Sequence, residues 1–319
     1  MAYTILSYSP KRTAERKDVP IEKAPKLRDS VVWIDVTNPG REELERLQKA
    51  YGLHHLAIDD CLHDIQRPKI EVYDDYFFVV ARSITYDEGI RTRQISIFVG
   101  KNYLISVHKD ELDFLEDVRK RILEGGHRVN MYGPDYLLYK IIDAIVDNYF
   151  KILEKVESEI EVIERKVVAR PTRSILESIF KTKKDLLLMR KPVWPLREVL
   201  HLLQSGSIET VSDASRPYFR DIYDHVINII DLLETYRELV TTSLETYLSS
   251  VSNSLNEVVK VLTVLTSLFM IPMLIASIYG MNFRNMPEIS WQYGYLFSLV
   301  LMATAIALTY LYFRNKRWV

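Results

Sequence analysis

A row of polar and sulfur-containing side chains runs through one of the most apolar segments of the sequence. Within it, Asn256, Thr263, Thr266 and Ser277 recur at helical spacing, so a helix would place them on one face. Neutral oxygens of this kind can hydrogen-bond to the water shell of a hard cation such as Mg²⁺, which gives up its waters reluctantly. From Asn256 onward this face consists of Asn256, Val259, Thr263, Thr266, Met270, Met273 and Ser277, and it continues toward the N-terminus through Ser252, Ser249 and Glu245.

A polar face on an apolar helix has two interpretations. Ser and Thr often hydrogen-bond between neighbouring membrane helices, whereas polar residues within a membrane also face a bundle interior or a wet cavity. A single helix cannot enclose a cavity, so the second interpretation requires symmetric copies of the chain that each contribute one helix. Rings of Val259, Met270 and Met273 would then form apolar constrictions, which can close a pore by dewetting.

The same segment ends in Gly280, Met281 and Asn282, directly after Tyr279. Glycine commonly follows a helix end, and the last carbonyl groups of a helix carry partial negative charge that attracts cations. The side-chain carbonyl of Asn282 would add to that charge. We therefore predict a selectivity filter for cations, formed by Gly280, Met281 and Asn282 of several chains.

Two apolar runs near the C-terminus are long enough to cross a membrane. Charged residues make up 27% of the chain, but 261–279 and 295–313 contain none, and a membrane-spanning helix needs about 20 apolar residues. No apolar segment typical of a secretory signal follows the first charged residues. We therefore predict a multi-pass protein of the plasma (inner) membrane with both termini in the cytoplasm. Basic residues flank the pair on the predicted cytoplasmic side: Lys260, Arg314, Lys316 and Arg317.

The remaining patterns predict an α+β cytoplasmic domain, an α/β sheet with helices, followed by a long helical stalk and two C-terminal transmembrane helices. A buried strand is expected at 31–36, a helix at 41–51, and hairpins at 69–86 and 94–107. The predicted cytoplasmic part has a cytoplasmic α/β domain at 1–130 and long cytoplasmic helices at 131–215. A stalk helix at 216–279 continues into the first transmembrane helix at about 261–279. An outer loop at 280–294, the second transmembrane helix at 295–313 and a basic cytoplasmic tail at 314–319 follow.

The predicted helix at 216–279 would be roughly 95 Å long, about twice the thickness of a membrane, so its first half must extend into the cytoplasm. Pro192 and Pro195 are expected to interrupt the helix that precedes it. One face of the long helix alternates by four and three, which is typical of a seam packed against copies of itself. That face comprises Tyr218, Ile222, His225, Ile229, Leu232, Tyr236 and Leu239.

Several segments match a known family. The matching segments are Tyr279 to Phe283, the short loop Met286-Pro287-Glu288, and residues 66–69, 135–139, 194–198 and 218–225. On these residues the chain strongly resembles the CorA family of magnesium channels, within the superfamily of two-span metal ion transporters, over nearly its whole length. One departure is that Pro272 stands two residues after Met270, whereas the family usually places this proline directly after that Met.

The resemblance implies a funnel-shaped homopentamer whose central pore is formed by the first span. It implies that hydrated Mg²⁺ enters through a ring of Asn282 beside Gly280 carbonyls, with Glu288 in the outer loop. It also implies a regulatory Mg²⁺ between protomers, bound by Asp60 of one and Asp221 of the next. Internal Mg²⁺ would then hold the protomers together and shut the channel. No organic cofactor is implied.

A transition-metal cluster is an alternative interpretation of a different segment. His55, Asp59 and His63 would share one helix face, and His54 and Asp60 lie beside them. Such a group could serve a membrane-anchored metal hydrolase or a zinc sensor. A purely structural membrane anchor is a further alternative, but an anchor does not need a polar stripe through its first span.

The nearer alternative is a zinc or other transition-metal transporter of the same superfamily, including an exporter. Glu288 and a pore face without His or Cys favour a hard, hydrated ion over zinc. Cobalt and nickel resemble magnesium in size and hydration, so they are expected to pass as well. The sequence carries no nucleotide-binding loop and no nucleophile elbow, so we expect neither a nucleotide partner nor an enzyme. Its net charge of -1 argues against nucleic acid.

Overall fold

The computed structural model describes residues 2–9, 12–16, 30–87, 89–124, 133–169, 171–282, 286–287 and 291–318. The chain divides into two compact units. The first contains Met1–Lys166 and Arg173–Ser243, and it holds the β-strands. The second contains Val167–Thr172 and Leu244–Val319, and it holds the two long apolar segments.

A 7-stranded sheet lies in the first unit, in the order β2-β1-β3-β7-β6-β5-β4. Strands β3 and β7 are parallel, and the other neighbours are antiparallel. The strands are β1 (Ala2–Ser9), β2 (Arg12–Arg16), β3 (Val31–Thr37), β4 (Lys69–Val72), β5 (Tyr76–Tyr86), β6 (Ile90–Gly100) and β7 (Tyr103–His108). Three short helices accompany them: α1 (Arg41–Tyr51), α2 (His55–Leu62) and α3 (Asp113–Leu123).

Successive side chains of each strand point to opposite faces of the sheet, and both faces carry buried residues. Ile34 of β3 belongs to the cluster that includes Leu44 and Leu47 of α1. On the opposite face, Asp35 is buried and accepts hydrogen bonds from Ser106, His108 and Arg119. These bonds connect β3, β7 and α3. The predicted strand at 31–36 and helix at 41–51 are confirmed.

Both predicted hairpins are confirmed by their registers. Val72 pairs with Phe77 across one turn, and Val99 pairs with Leu104 across the other. The structure adds a third hairpin, between β5 and β6, along which Tyr86 pairs with Ile90. Strands β1 and β2 and helix α3 were not predicted from the pattern of residues, whereas a helix at α2 was assumed only in the alternative metal-cluster interpretation.

Three long helices follow the sheet: α4 (Pro134–Ala169), α5 (Arg173–Ser205) and α6 (Arg216–Tyr279). Helices α4 and α6 run in the same direction, since Tyr139 contacts Tyr218 at 5.0 Å between ring centroids and Phe150 contacts His225 at 6.0 Å. Asp135, at the start of α4, accepts hydrogen bonds from the backbone and side chain of Ser212. This fixes the start of α4 to the loop that precedes α6.

Pro192 and Pro195 do not interrupt α5, so that prediction was wrong. The helix continues through both prolines to Ser205. A proline inside a helix removes one backbone hydrogen bond and costs roughly 3 kcal/mol. Here Val193 and Leu196, each directly after one of the prolines, are fully buried, and burial of two such side chains stabilises by about 1.5–3 kcal/mol each. Packing of this kind offsets much of the local cost of the two prolines, so the helix continues through them.

The predicted seam on α6 also requires correction. Ile222, Ile229 and Tyr236 are buried within their own chain, so they do not face other copies. They belong to a stripe that recurs every three or four residues and packs inside the first unit. The buried stripe is Phe219, Ile222, Val226, Ile229, Leu233, Tyr236 and Val240.

In the second unit, the end of α6 accompanies α7 (Gly294–Asn315). Each helix contains a segment long and apolar enough to cross a membrane, with mean hydropathy 2.3 in α6 and 2.0 in α7. Only 6% and 11% of these two segments are buried in the single chain, which is expected of helices whose surroundings are lipid and other helices. The prediction of two C-terminal transmembrane helices is confirmed.

Candidate functional site

The polar face of α6 is not covered by the rest of its own chain. Every residue of that face is exposed in the single chain: Asn256, Val259, Thr263, Thr266, Met270, Met273 and Ser277. An uncovered row of hydroxyl and amide groups inside an apolar segment would be costly against lipid. The face must therefore meet water or other protein.

A different side of α6 is the covered one. Val264 is buried, and Leu268, Ile271 and Ile275 are partly buried. These positions follow helical spacing and lie well away from the polar face around the helix. On α7 the covered positions also follow one face, at residues Gly294, Ser298, Met302, Ala305, Thr309 and Phe313. The chain thus covers an apolar side of α6 and leaves its polar side open.

Thr263 shows how this face can interact with a hydrated ion. Its hydroxyl group donates a hydrogen bond to the carbonyl oxygen of Val259, at 2.8 Å. Because the hydrogen is used within the helix, the lone pairs of the hydroxyl oxygen remain available as acceptors. The water molecules around a cation direct their hydrogens outward, so this face suits a cation with its water shell.

Helix α6 ends at Tyr279, and Gly280 continues its hydrogen bonding by donating to the carbonyl oxygen of Ala276 at 2.9 Å. Gly280 does not adopt the left-handed conformation that often ends helices. A Cβ atom at Gly280 would lie 3.3 Å from the oxygen of Ala276 and 3.5 Å from that of Ser277. Glycine therefore keeps a side chain away from these two carbonyl oxygens. Met281 and Asn282 follow and are exposed, while Glu288 lies outside the described residues.

Asp60, on α2, is held by two partners within its own chain. Its Oδ1 accepts a hydrogen bond from Gln66 at 2.7 Å, and its Oδ2 pairs with Lys69 Nζ at 2.6 Å. Lys69 Nζ also lies 2.6 Å from Oε1 of Glu71. Burial lowers the pKa of Lys69, but its hydrogen bonds to Asp60 and Glu71 outweigh burial and raise that pKa overall. Gln66 and Lys69 lie in a segment that matches the family, but the sequence alone assigned no role to either residue.

Asp221, near the start of α6, is exposed. Within the part of the chain that the structure describes, its carboxylate takes part in no ion pair. No group of three or more His, Cys, Asp or Glu residues is arranged to hold a metal ion in the described ranges of one chain. A metal site that uses Asp60 or Asp221 would therefore need ligands from a second chain or from water.

The alternative metal cluster on α2 does not form. The helix ends at Leu62, and His63 has an extended backbone. Among the described residues, His55, Asp59 and His63 do not form a group that could hold a metal ion. His54 precedes the helix, and its Nδ1 accepts a hydrogen bond from the backbone of Leu56. The side chain of His54 therefore serves as a helix cap.

Aromatic residues lie at both ends of the apolar helices. Trp291 contacts Phe297 at one end of α7, with 5.9 Å between ring centroids. At the other end, Phe313 stacks on Trp318 at 5.6 Å. Trp and Tyr concentrate where membrane meets water, so these rings mark two interfaces separated by the length of α7.

Comparisons with known proteins agree with this arrangement. Residues 28–317 match a family model described as a CorA-like Mg²⁺ transporter protein. The cobalt/magnesium transport protein CorA of Thermotoga maritima is 39% identical over 98% of this chain and 91% of its own length. The protein of the same description from Methanocaldococcus jannaschii is 30% identical over 91% of this chain and 92% of its own length.

Solved structures give the same result. The complete CorA magnesium transporter of Methanocaldococcus jannaschii matches with a TM-score of 0.87 at 27% identity, over 100% of this chain and 99% of that one. The cytoplasmic domain of ZntB from Vibrio parahaemolyticus matches 79% of this chain and 100% of its own, with a TM-score of 0.63. At 18% identity, that likeness shows a shared fold alone. By sequence and by structure, the chain belongs to the CorA-like Mg²⁺ transporter family, whose members are multi-pass membrane proteins.

Proposed function

We propose that this chain forms a homopentameric channel in the plasma membrane that lets Mg²⁺ enter the cytoplasm and also passes Co²⁺ or Ni²⁺. The observation that carries the proposal is the polar face of α6, which stays uncovered while the chain's own packing covers another side of the helix. The descriptions of the relatives as cobalt/magnesium transport proteins support the choice of ions. Both termini are on the cytoplasmic side in this proposal.

In the proposed pathway, hydrated Mg²⁺ first meets a ring of Asn282 side chains beside the Gly280 carbonyl groups. The C-terminal end of a helix carries partial negative charge, and the missing Cβ of Gly280 keeps a side chain away from the neighbouring carbonyl oxygens. Several such ends around one axis would attract a divalent cation without removing its waters. Met281 stands between these two residues and completes the filter segment.

Further along, the hydroxyl oxygens of Thr263 and Thr266 and the amide of Asn256 accept hydrogen bonds from the waters of the ion. Val259, Met270 and Met273 form apolar rings among them. Apolar rings can exclude water when the pore narrows slightly, so they can close the pathway without a blocking residue. Ser277 lines the pathway between Met273 and the filter.

The proposal includes a regulatory Mg²⁺ between protomers, held by Asp60 and Asp221. Asp221 is exposed and available for such a contact, and the side chain of Asp60 keeps 16% of its surface exposed. Carboxylates from neighbouring chains repel each other when the site is empty. A divalent ion between them would remove that repulsion and hold the chains in one arrangement. High internal Mg²⁺ would thereby close the channel.

The test is Mg²⁺ entry into proteoliposomes that contain the purified protein, followed with an internal Mg²⁺ dye. We expect entry at low internal Mg²⁺ and a clear decrease as internal Mg²⁺ is raised. Zinc transport that depends on a proton gradient, without any Mg²⁺ entry, would overturn the magnesium proposal and favour a transition-metal transporter. The mass of the detergent-solubilised complex tests the number of subunits.

A further inference from the structure

Lys69 stands between two carboxylates beside Asp60. Its Nζ lies 2.6 Å from Asp60 Oδ2 and 2.6 Å from Glu71 Oε1. The other oxygen of Asp60 accepts a hydrogen bond from Gln66 at 2.7 Å. Both oxygens of Asp60 therefore have partners within the chain, and any cation that binds Asp60 must compete with the ammonium group.

Glu71 offers that ammonium group a second position. Its Oε2 accepts a hydrogen bond from the hydroxyl group of Tyr73 at 2.8 Å, which orients the carboxylate. The three charged side chains of Asp60, Lys69 and Glu71 keep between 16% and 36% of their surface exposed, so solvent screens each pair and exchange between partners is not costly. Lys69 can lose Asp60 and remain paired with Glu71.

We propose that Lys69 is a built-in competitor that sets how much Mg²⁺ is needed to occupy Asp60, and that Glu71 retains the Lys69 ammonium when Mg²⁺ binds. This inference rests on the proposed regulatory role of Asp60. The chemistry is a competition for the same lone pairs, because ammonium hydrogens and the outward hydrogens of Mg²⁺-bound water both need the oxygens of Asp60. Lys69 and Glu71 are positioning residues that act through Asp60.

The competition predicts that two substitutions shift the Mg²⁺ concentration for half-maximal binding in opposite directions. Lys69→Met removes the competing cation, so half-maximal Mg²⁺ binding should need about two- to fivefold less Mg²⁺, the range expected for one partly exposed ion pair. Glu71→Gln removes the second position and leaves the ammonium group with Asp60 alone. That variant should need about two- to fivefold more Mg²⁺. Lys69→Arg keeps the charge and should stay close to the wild type.

The experiment titrates Mg²⁺ into the purified full-length complex and measures protection from limited proteolysis. Inhibition of Mg²⁺ entry into proteoliposomes provides a second midpoint for each variant. Lys101→Met is the matched control, because Lys101 is exposed in the turn between β6 and β7 and its loss changes the net charge equally. We expect this control to leave both midpoints unchanged.

The double variant Lys69→Met with Glu71→Gln separates two mechanisms. If Glu71 acts by holding Lys69, the double variant should have the midpoint of Lys69→Met alone. A midpoint that Glu71→Gln still raises without Lys69 would mean that Glu71 acts by its own charge, and it would overturn the exchange.

The remaining outcomes separate this inference from the proposed function. An unchanged midpoint in Lys69→Met, with a lower melting temperature, would overturn the inference alone and leave the pair a structural one. Absence of any Mg²⁺ protection in the wild type would overturn the regulatory site itself and the inference with it. A shift in Lys69→Met that disappears in an Asp60→Asn background would support both.

Discussion

Thr263 and Thr304 make the same local hydrogen bond on two different helices. The hydroxyl of Thr263 donates to Val259 O at 2.8 Å on α6, and the hydroxyl of Thr304 donates to Val300 O at 2.7 Å on α7. Both threonines are exposed in the single chain. Because their backbone and bond geometry agree, they form a matched pair that differs in position relative to the proposed pathway.

Replacement of Thr263 by Val keeps the volume of the side chain and removes its lone pairs. We expect the rate of Mg²⁺ entry to fall at least about fivefold, since one hydrogen bond to the hydrated ion is worth about 1 kcal/mol and the substitution removes the hydroxyl group from every protomer. Thr304→Val should leave entry unchanged. Equal rates for the two variants, measured with the internal dye at equal protein content, would contradict the placement of Thr263 on the pathway.

Asn282→Ala should abolish Mg²⁺ entry while the complex keeps its size on gel filtration. The amide oxygen of Asn282 is the side-chain acceptor of the proposed filter, and alanine offers none. Asn315→Ala, at the other end of the membrane-spanning pair, is the control and should transport normally. Wild-type rates for Asn282→Ala would remove this residue from the filter.

Asp60→Asn and Asp221→Asn should each weaken closure by internal Mg²⁺. Each substitution removes one of the two negative charges that attract the divalent cation in the proposed site. We expect entry to continue at internal Mg²⁺ concentrations that inhibit the wild type. Asp224→Asn, an exposed position on the same helix, is the matched control. Normal inhibition in both variants would mean that the main regulatory site lies elsewhere.

The buried His108 predicts a pH dependence of stability. Its Nε2 is 3.0 Å from Asp35 Oδ1, and its Nδ1 is 2.6 Å from the carbonyl oxygen of Asp110. Since both neighbours are acceptors, only the charged ring, with a proton on each nitrogen, can donate to both of them. Burial lowers the pKa of His108, but the hydrogen bond and charge of Asp35, with the carbonyl of Asp110, outweigh burial and raise it above its ordinary 6.5.

Because the pKa of His108 is raised in the folded state, its protonation stabilises the fold at low pH and not at high pH. The stabilisation is fully present below pH 6.5, the unfolded value, and it is lost as pH rises through the folded pKa. We expect the melting temperature of the wild type to fall over that range. His108→Gln should be less stable by about 1–3 kcal/mol at pH 6, the usual cost of losing a buried charged hydrogen bond. A His108→Gln variant with the same pH dependence as the wild type would assign that dependence to other groups.

Cys61 is the single cysteine of the chain and is buried. Burial raises the pKa of its thiol to about 12, and the thiol donates to the carbonyl oxygen of Ala57. Because the thiolate is the reactive form, we expect no labelling by maleimide at pH 7 in the native protein and one label per chain in denaturant. Rapid native labelling would show that α2 opens readily.

Much of the first unit could be predicted from sequence, since strand and helix signals are local. Val31–Thr37 is a short apolar run that needs no partner to be recognised. The prediction that Pro192 and Pro195 interrupt a helix was wrong because the deciding interactions are not local. The cost of a proline is a local property, but the burial of Val193 and Leu196 that offsets it depends on distant parts of the chain.

The seam predicted on α6 shows the same limit. A four-three alternation of apolar residues indicates that one side of a helix is covered, but it does not identify the partner. The structure buries Ile222, Ile229 and Tyr236 within the chain, beside α4, whose Tyr139 and Phe150 contact the same helix. Periodicity alone cannot distinguish a neighbouring helix of the same chain from a copy.

The sequence by itself determined the two apolar spans, their basic flanks, and the polar face that includes Thr263. These features depend on hydrophobicity and on the helical period, which neighbouring residues establish together. Only the tertiary structure decided which side of α6 is covered, and only it paired Asp60 with Lys69 and Asp35 with Arg119. Asp35 and Arg119 lie 84 residues apart, and no local pattern records a contact at that separation, because the fold of the intervening chain creates it.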